Sequence, residues 1–506
     1  MKGMREFPTR RHGLAAAAIL GGVLAGTHPA TAQDAALQAS SGNRASSGLE
    51  LTECPVPGAE KPGLCGTLRV FEDRERRQGR TIDLAVLVLP ATGPDPAPDP
   101  IFLLAGGPGQ AATVLGPAID QIIPPAVRRS RDVVLVDQRG TGRSNGLQCP
   151  IVDLDEILEA LAFEFSPESL RACRKAFDAD LTMYTTPLAM DDLDDVREEL
   201  GYSKINLWGG SYGTRAALVY MRRHPQRVRA AVLRGVAPTN ATLPLHFARD
   251  AQRALLLLTE ACAAADACER SFPNTPSDLE SLLARLSAKP ANVEAIHPLT
   301  QEPTDARITA EAFAGGLRLL QYGTYFSRHI PRIVEAGLRG DFEPFLSLSL
   351  PFAGQLIQQI YIGMFLSVVC AEDVPYLNLE KAEAEAEGTY LSSSASRYMT
   401  LACEGWPRGD LPDGYREPVR ANQPVLVVSG DEDPVTPPSW GEEVARYLPN
   451  AYQLVLPRTG HFPTAPGCSA ELIAGFLDRG SAEGMDPACL KEIPRPPFAL
   501  SESPPD

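Results

Sequence analysis

Ile205-Asn-Leu-Trp-Gly-Gly-Ser-Tyr-Gly-Thr214 sets a serine between glycines, at the end of an apolar run and the start of a helix-forming one. Strand, sharp turn and helix form the context in which Gly-x-Ser-x-Gly acts as a nucleophile elbow. The reason is steric. A tight turn holds the serine on a crowded backbone, and glycines on both sides let strand and helix approach. The Ser211 oxygen then projects over the carboxyl edge of the sheet, where open α/β sheets bind their ligands. The competing reading is a Gly-rich strand-to-helix turn without chemistry.

Outward from this point the chain alternates. Ile82–Leu89, Ile101–Leu104, Val133–Val136 and Ala230–Leu233 read as strands, and Met190–Leu200 and Gly213–Arg223 as helices. Continuous apolar runs suit parallel strands covered on both faces. The alternation predicts an α/β core with a mostly parallel sheet and helices on both faces. From 241 to 420 helix-forming stretches dominate, notably Ala248–Ala265, Asp278–Leu286 and Leu379–Glu387. Sheet character returns at Pro424–Ser429 and Tyr452–Leu456. The expected organisation is therefore a core over 49–240 and 421–485, interrupted by a helical lid over 241–420. A flexible leader at 33–48 precedes it and a Pro-rich tail at 486–506 follows.

A serine hydroxyl needs a base, and elimination finds it. Of seven histidines, His12 and His28 lie within the first 32 residues, which read as an export signal, His224 just past the elbow helix, and His246, His297 and His329 in the insertion. Only His461, in Thr459-Gly-His-Phe462, stands in a loop after a late strand. The acid that fixes the imidazole tautomer is expected in Gly430-Asp-Glu-Asp-Pro-Val-Thr-Pro437. Asp433 is preferred over Asp431 because it lies where the chain has turned over the sheet edge, stiffened by Pro434. The order Ser211, Asp433, His461 differs from that of chymotrypsin and subtilisin. Amide donors for the oxyanion are expected from Tyr212 and, in Gly106-Gly-Pro-Gly109 after an early strand, from Gly107. That glycine stretch also mimics a dinucleotide fingerprint, since Gly107-Pro-Gly-Gln-Ala-Ala112 is followed by Asp137 at the end of the next strand. The dinucleotide reading leaves Ser211, Asp433 and His461 unexplained.

The N-terminus reads as an export signal over 1–32. Lys2, Arg5, Arg10 and Arg11 precede the apolar run Leu14–Leu24, and Ala30-Thr-Ala32 offers a cleavage site. The run is shorter than the roughly 20 residues that span a bilayer, so no stable membrane anchor is expected. Ten cysteines fall into five successive pairs, as in loops stapled in an oxidising compartment; a secreted or periplasmic location follows. No zinc-finger spacing or His-Glu-x-x-His is present, so no metal or other cofactor is expected. A net charge of −16 disfavours nucleic acid as a partner.

The motifs Gly106-Gly-Pro-Gly109, Asp137-Gln-Arg-Gly-Thr-Gly-Arg-Ser144, Gly209-Gly-Ser-Tyr-Gly-Thr214, Asp433-Pro-Val-Thr-Pro437 and Gly460-His461 together resemble the prolyl and tripeptidyl aminopeptidase branch of the α/β-hydrolases. The resemblance covers about 49–240 and 400–480 well and the insertion loosely. It implies the α/β-hydrolase fold and a serine peptidase. Prolyl aminopeptidases commonly have His before Gly-Gly-Pro-Gly; Ala105 stands here, which favours the tripeptidyl-like, exported branch. In aminopeptidases of this family acidic lid residues hold the substrate's free amine, and Glu372 in Val369-Cys-Ala-Glu-Asp-Val374 is the best-placed candidate. The competing reading of Glu372 is a helix-capping or solvated carboxylate. The expected activity is release of short N-terminal peptides or single residues through an acyl-enzyme on Ser211. A carboxylesterase or small-amide hydrolase with the same triad is the alternative.

Overall fold

The computed structural model describes residues 48–500 except 60, 152 and 462–465. The export signal and nearly all of the leader lie outside the described residues. Eleven strands are β1 (Thr52–Cys54), β2 (Gly63–Phe71), β3 (Thr81–Leu89), β4 (Ile101–Leu104), β5 (Val133–Val136), β6 (Ile205–Gly210), β7 (Val228–Arg234), β8 (Ala291–Ile296), β9 (Pro303–Ile308), β10 (Val425–Gly430) and β11 (Ala451–Leu456). Nine form one sheet in the order β1-β2-β3-β5-β4-β6-β7-β10-β11. From β5 to β11 every pairing is parallel, while β1, β2 and β3 add antiparallel strands at one edge.

The strand order decides where chemistry can sit. β4 lies between β5 and β6, so successive connections leave it in opposite directions across the sheet. That reversal opens a crevice outside the carboxyl ends of β4 and β6. The loop after β4 carries Gly106-Gly-Pro-Gly109 and the turn after β6 carries Ser211. The strands beneath are Val/Ile/Leu-rich and fully buried, as in β4 and β5, where no position is exposed. They form a stiff base for both loops.

The segment between β7 and β10 is mostly helical, with Phe247–Ala263, Thr275–Ala288, Ala310–Leu320, Glu343–Gln359 and Ile362–Glu372 its larger helices. Two expectations need correction. First, the segment contains the antiparallel hairpin β8–β9. Its strands alternate between exposed and covered positions, a pattern that a search for apolar runs misses. Second, the apolar cores do not follow the boundaries at 241 and 420. Leu154, Ile157 and Leu158, from between β5 and β6, pack with Phe313, Phe345 and Leu320 of the cap. Met364, Leu366, Val368 and Val369 pack into the core of the sheet domain. Cap and base thus share side chains in both directions. The tail is also better held than its composition suggests. Cys489 is bonded to Cys468, and Arg495 pairs with Glu432.

The cysteines pair in chain order: Cys54–Cys65, Cys149–Cys173, Cys262–Cys268, Cys370–Cys403 and Cys468–Cys489. These are the five successive pairs expected from spacing. Among the described residues no cysteine is free.

Candidate active site

Ser211 has φ 54° and ψ −125°, a region that L-residues with a side chain rarely occupy. The elbow supports it from both sides. The Ser211 amide donates to the Arg234 carbonyl at 2.9 Å, and the Thr214 hydroxyl donates to the Ser211 carbonyl at 2.6 Å. A Cβ at Gly209 would stand 2.5 Å from the Gly213 carbonyl oxygen, and one at Gly213 would strike the Leu104 carbonyl. Strand, turn and neighbouring strand therefore close only around glycine. Tyr212 opens the helix Tyr212–Arg223, so its amide is among the N-terminal donors that have no partner within a helix.

The loop after β10 brings the acid to the base. Asp433 is fully buried. Its Oδ2 lies 2.8 Å from His461 Nδ1 and accepts from the Thr436 hydroxyl at 2.8 Å. Its Oδ1 accepts the amides of Val435 at 2.7 Å and Thr436 at 2.9 Å. Burial alone would raise this carboxyl, but the imidazole beside it and the bonds from Thr436 and Val435 outweigh burial and hold it below the usual aspartate range. The carboxylate is thus kept ionised and aimed at Nδ1, which leaves Nε2 as the imidazole's free nitrogen. Asp431 instead accepts the Thr459 amide at 3.3 Å.

The end of β7 runs beside both Ser211 and His461. Arg234 accepts the Ser211 amide, and a Cβ added to the next residue, Gly235, would lie 3.1 Å from both His461 Nδ1 and Cε1. The other described histidines are engaged elsewhere. His224 contacts Asp191 and Asp194, His246 contacts Glu385, and His329 accepts from Arg328.

The glycine loop after β4 lies against the elbow, since a Cβ at Gly106 would stand 3.4 Å from Ser211 Cβ. Gly107 has φ 106°, which requires glycine. The loop is tied to the cap by the Tyr361 amide donating to Gly109 O at 2.9 Å and by Gln110 Nε2 donating to Gln359 at 2.9 Å. Asp137-Gln-Arg139 is scaffold. Asp137 is fully buried and accepts from Thr113 and the Arg143 amide, so no carboxylate is left for a ribose. Arg139 is bidentate to Asp192, at 2.7 and 2.9 Å. Arg139 thereby anchors the loop to the helix Thr186–Glu199.

Glu372 is not a solvated carboxylate; its contacts fit the helix-capping alternative, since it accepts the amide of Thr186, the first residue of the helix Thr186–Glu199. It is fully buried, and its oxygens accept the Thr186 amide at 2.7 Å, the Thr186 hydroxyl at 2.8 Å and the Tyr415 hydroxyl. Burial pushes its carboxyl up while Arg215 and these donors pull it down. An ammonium would have to displace donors already in place. The same Thr186 hydroxyl lies 2.7 Å from the Tyr212 hydroxyl, and next along the chain Asp373 is paired twice with Arg215 of the elbow helix, at 2.9 and 3.0 Å. The acidic pair clamps the elbow helix to the cap.

Two residues at the site escaped the sequence reading. Thr436 sits 3.1 Å from His461 Nδ1 as well as on Asp433; it was visible in Asp433-Pro-Val-Thr-Pro437, where a hydroxyl three residues past an acid is an Asx-turn signal. Tyr322, from the cap, places its ring 5.0 Å from the imidazole at 69°. Nothing local to Tyr322 marks it.

A serine on a strained elbow beside an imidazole on a buried carboxylate, at the switch point of a parallel sheet, defines a class of enzyme. Residues 99–464 match the family described as alpha/beta hydrolase fold, and the chain belongs to that family. Over 493 aligned residues it is 26% identical to serine protease Hip1 of Mycobacterium tuberculosis, covering 87% of this chain and 91% of that one. It is 30% identical over 223 residues to tripeptidyl aminopeptidase of Streptomyces lividans, covering 40% and 41% of the two chains. A proline iminopeptidase of Neisseria gonorrhoeae is 33% identical over 137 residues, covering 27% and 32%. Among solved structures, a proline iminopeptidase of Mycobacterium smegmatis is 17% identical with a TM-score of 0.41, covering 82% and 98%. The chain is an enzyme, a serine hydrolase with peptidase relatives.

Proposed function

We propose that the protein is an exported aminopeptidase that releases short N-terminal peptides or single residues through an acyl-enzyme on Ser211. The observation that carries the catalytic part is the His461–Asp433 contact beside the Ser211 elbow. In this reading Ser211 Oγ attacks the scissile carbonyl while His461 Nε2 takes its proton. Asp433 fixes the tautomer and stabilises the imidazolium that forms. The amides of Tyr212 and Gly107 receive the oxyanion, each such donor contributing about 10²- to 10³-fold in rate. His461 then hands its proton to the leaving amine, and water repeats the sequence to release the acyl group.

The peptidase names of relatives across two short stretches and one nearly full-length alignment support a peptide substrate. Five disulfides and the basic-then-apolar N-terminus support export to a secreted or periplasmic location. The test compares free-amine peptide amides, N-blocked peptides and simple esters, on the parent and on Ser211→Ala. The variant is expected to lose nearly all turnover, on the order of 10⁶-fold, and its labelling by a fluorophosphonate. Equal labelling of both proteins would remove Ser211 from the mechanism. N-blocked peptides cleaved as fast as free ones would refute the aminopeptidase type.

A further inference from the structure

Two glycines let three stretches of main chain lie directly on one another beside the catalytic residues. A Cβ at Gly430, the last residue of β10, would strike the carbonyl oxygens of Thr459 and Gly460. A Cβ at Gly460 would in turn stand 2.6 Å from the Tyr322 carbonyl oxygen and 2.7 Å from that of Gln321. Non-bonded atoms do not approach so closely. The end of β10, the loop that carries His461 and the end of the cap helix Ala310–Leu320 therefore pack with no side chain between them.

The end of the cap helix is fixed in that place. Gln321 is buried, its Oε1 accepts from the Tyr390 hydroxyl at 2.8 Å, and its amide donates to the Leu317 carbonyl at 3.1 Å. The Tyr322 amide donates to the Leu319 carbonyl at 3.1 Å. From a second cap helix, Phe247–Ala263, Arg253 donates to the Asp433 carbonyl at 3.1 Å. The cap thus touches the histidine loop and the aspartate loop at separate points.

This docking sets the Tyr322 ring against the imidazole. The two centroids are 5.0 Å apart with the planes 69° from each other, an edge-to-face contact. The Phe352 ring lies 6.3 Å from that of Tyr322 at 82° and backs it. The His461 side chain is only 7% exposed. Its contacts with Asp433 at 2.8 Å and with the Thr436 hydroxyl at 3.1 Å are both made at Nδ1. They hold one corner of the ring and leave its tilt to the groups packed against it.

We propose that Tyr322 is a positioning residue for His461, its ring holding the imidazole at the tilt in which Nε2 takes the proton of Ser211. The inference rests on the reading of His461 as the base. It makes the cap necessary for the turnover of every substrate, a small ester included, because the ring acts on the base.

The test compares Tyr322→Leu, Tyr322→Met and Tyr322→Phe with the parent on one small ester and one peptide, with thermal midpoints to confirm folding. Leu and Met remove the ring, and either folded variant suffices. Each is expected to lower kcat by about 3- to 100-fold, equally on both substrates and with KM little changed. The lower figure is the worth of one aromatic pair, and the upper that of a misplaced catalytic group. Phe keeps the ring and should restore kcat to within about 2-fold of the parent. A smaller fall in a folded Leu or Met variant would overturn the proposal, as would a loss in Phe equal to theirs. A rise in KM confined to the peptide would make Tyr322 a substrate contact and overturn it too. His461→Ala separates the two readings. Parental turnover in that variant would remove His461 as the base, whereas its loss beside an unimpaired Tyr322→Leu would remove only the positioning role.

Discussion

Asp433→Asn changes one atom pair and should nearly abolish turnover, for a reason fixed by the loop around it. Oδ1 of Asp433 accepts two backbone amides, from Val435 and Thr436, at 2.7 and 2.9 Å. An asparagine at this position must keep its carbonyl oxygen there, because turning the amide over would set NH₂ against two N–H donors. Its NH₂ is then forced to the Oδ2 position, 2.8 Å from His461 Nδ1. Nδ1 becomes an acceptor, so the proton of the neutral imidazole moves to Nε2, the nitrogen that must accept from Ser211. The Thr436 hydroxyl, a donor to Oδ2 at 2.8 Å, can turn to accept, so the loop tolerates the change. A triad locked in the wrong tautomer loses about 10⁴-fold in kcat, or about 5 kcal/mol of transition-state stabilisation. Thr436→Val removes only one neutral bond to the carboxylate and should cost about 10-fold. The assay is kcat/KM on one ester and one peptide, with the thermal midpoint of each variant to confirm folding. A loss below about 10-fold for Asp433→Asn, in a folded protein, would refute the tautomer argument and with it the role given to Asp433.

Glu372→Gln should destabilise the protein by about 1–3 kcal/mol, because one of its three donors would face an NH₂ group; denaturant midpoints measure this. Peptide and ester hydrolysis should fall together, and a selective loss of free-amine peptides would restore Glu372 as a substrate contact. His329, 6% exposed, is pushed down to about 4 by burial first and then by Arg328 and Arg332. Folding therefore favours its neutral form. The contribution, at most about 3 kcal/mol, is fully present above the unfolded value near 6.5 and is lost as pH falls from there to about 4. The midpoint difference between parent and His329→Gln should shrink over that window, and a constant difference from pH 7 to pH 4 would count against it. Alkylation without reductant should add no label to the purified protein, whereas ten labels would overturn both the bridges and the export argument.

Placements set by chain neighbours were readable from the sequence, and contacts set by distant partners were not. β4 and β5 begin and end where the apolar runs Ile101–Leu104 and Val133–Val136 do, because central parallel strands need every position apolar. β2 was missed because it is near the sheet's edge and mixes Cys65, Gly66, Thr67 and Arg69 among its apolar residues. Ser211, Asp433 and His461 each follow a strand end, so their local context carried the inference. Glu372 had no such context. What it does is decided by Thr186, 186 positions away, and by Tyr415. The local pattern of an acidic pair at a helix end is the same whether the carboxylates face substrate or protein.

That difference relocates the question of selectivity. Glu372 and Asp373 spend their charge on Thr186, Tyr415 and Arg215, which fasten the elbow helix beneath the cap. Carboxylates so engaged brace the helix that opens at Tyr212, and an ammonium could reach them only by displacing those donors. The acidic pair Glu372 and Asp373 therefore holds in place the turn that carries Ser211.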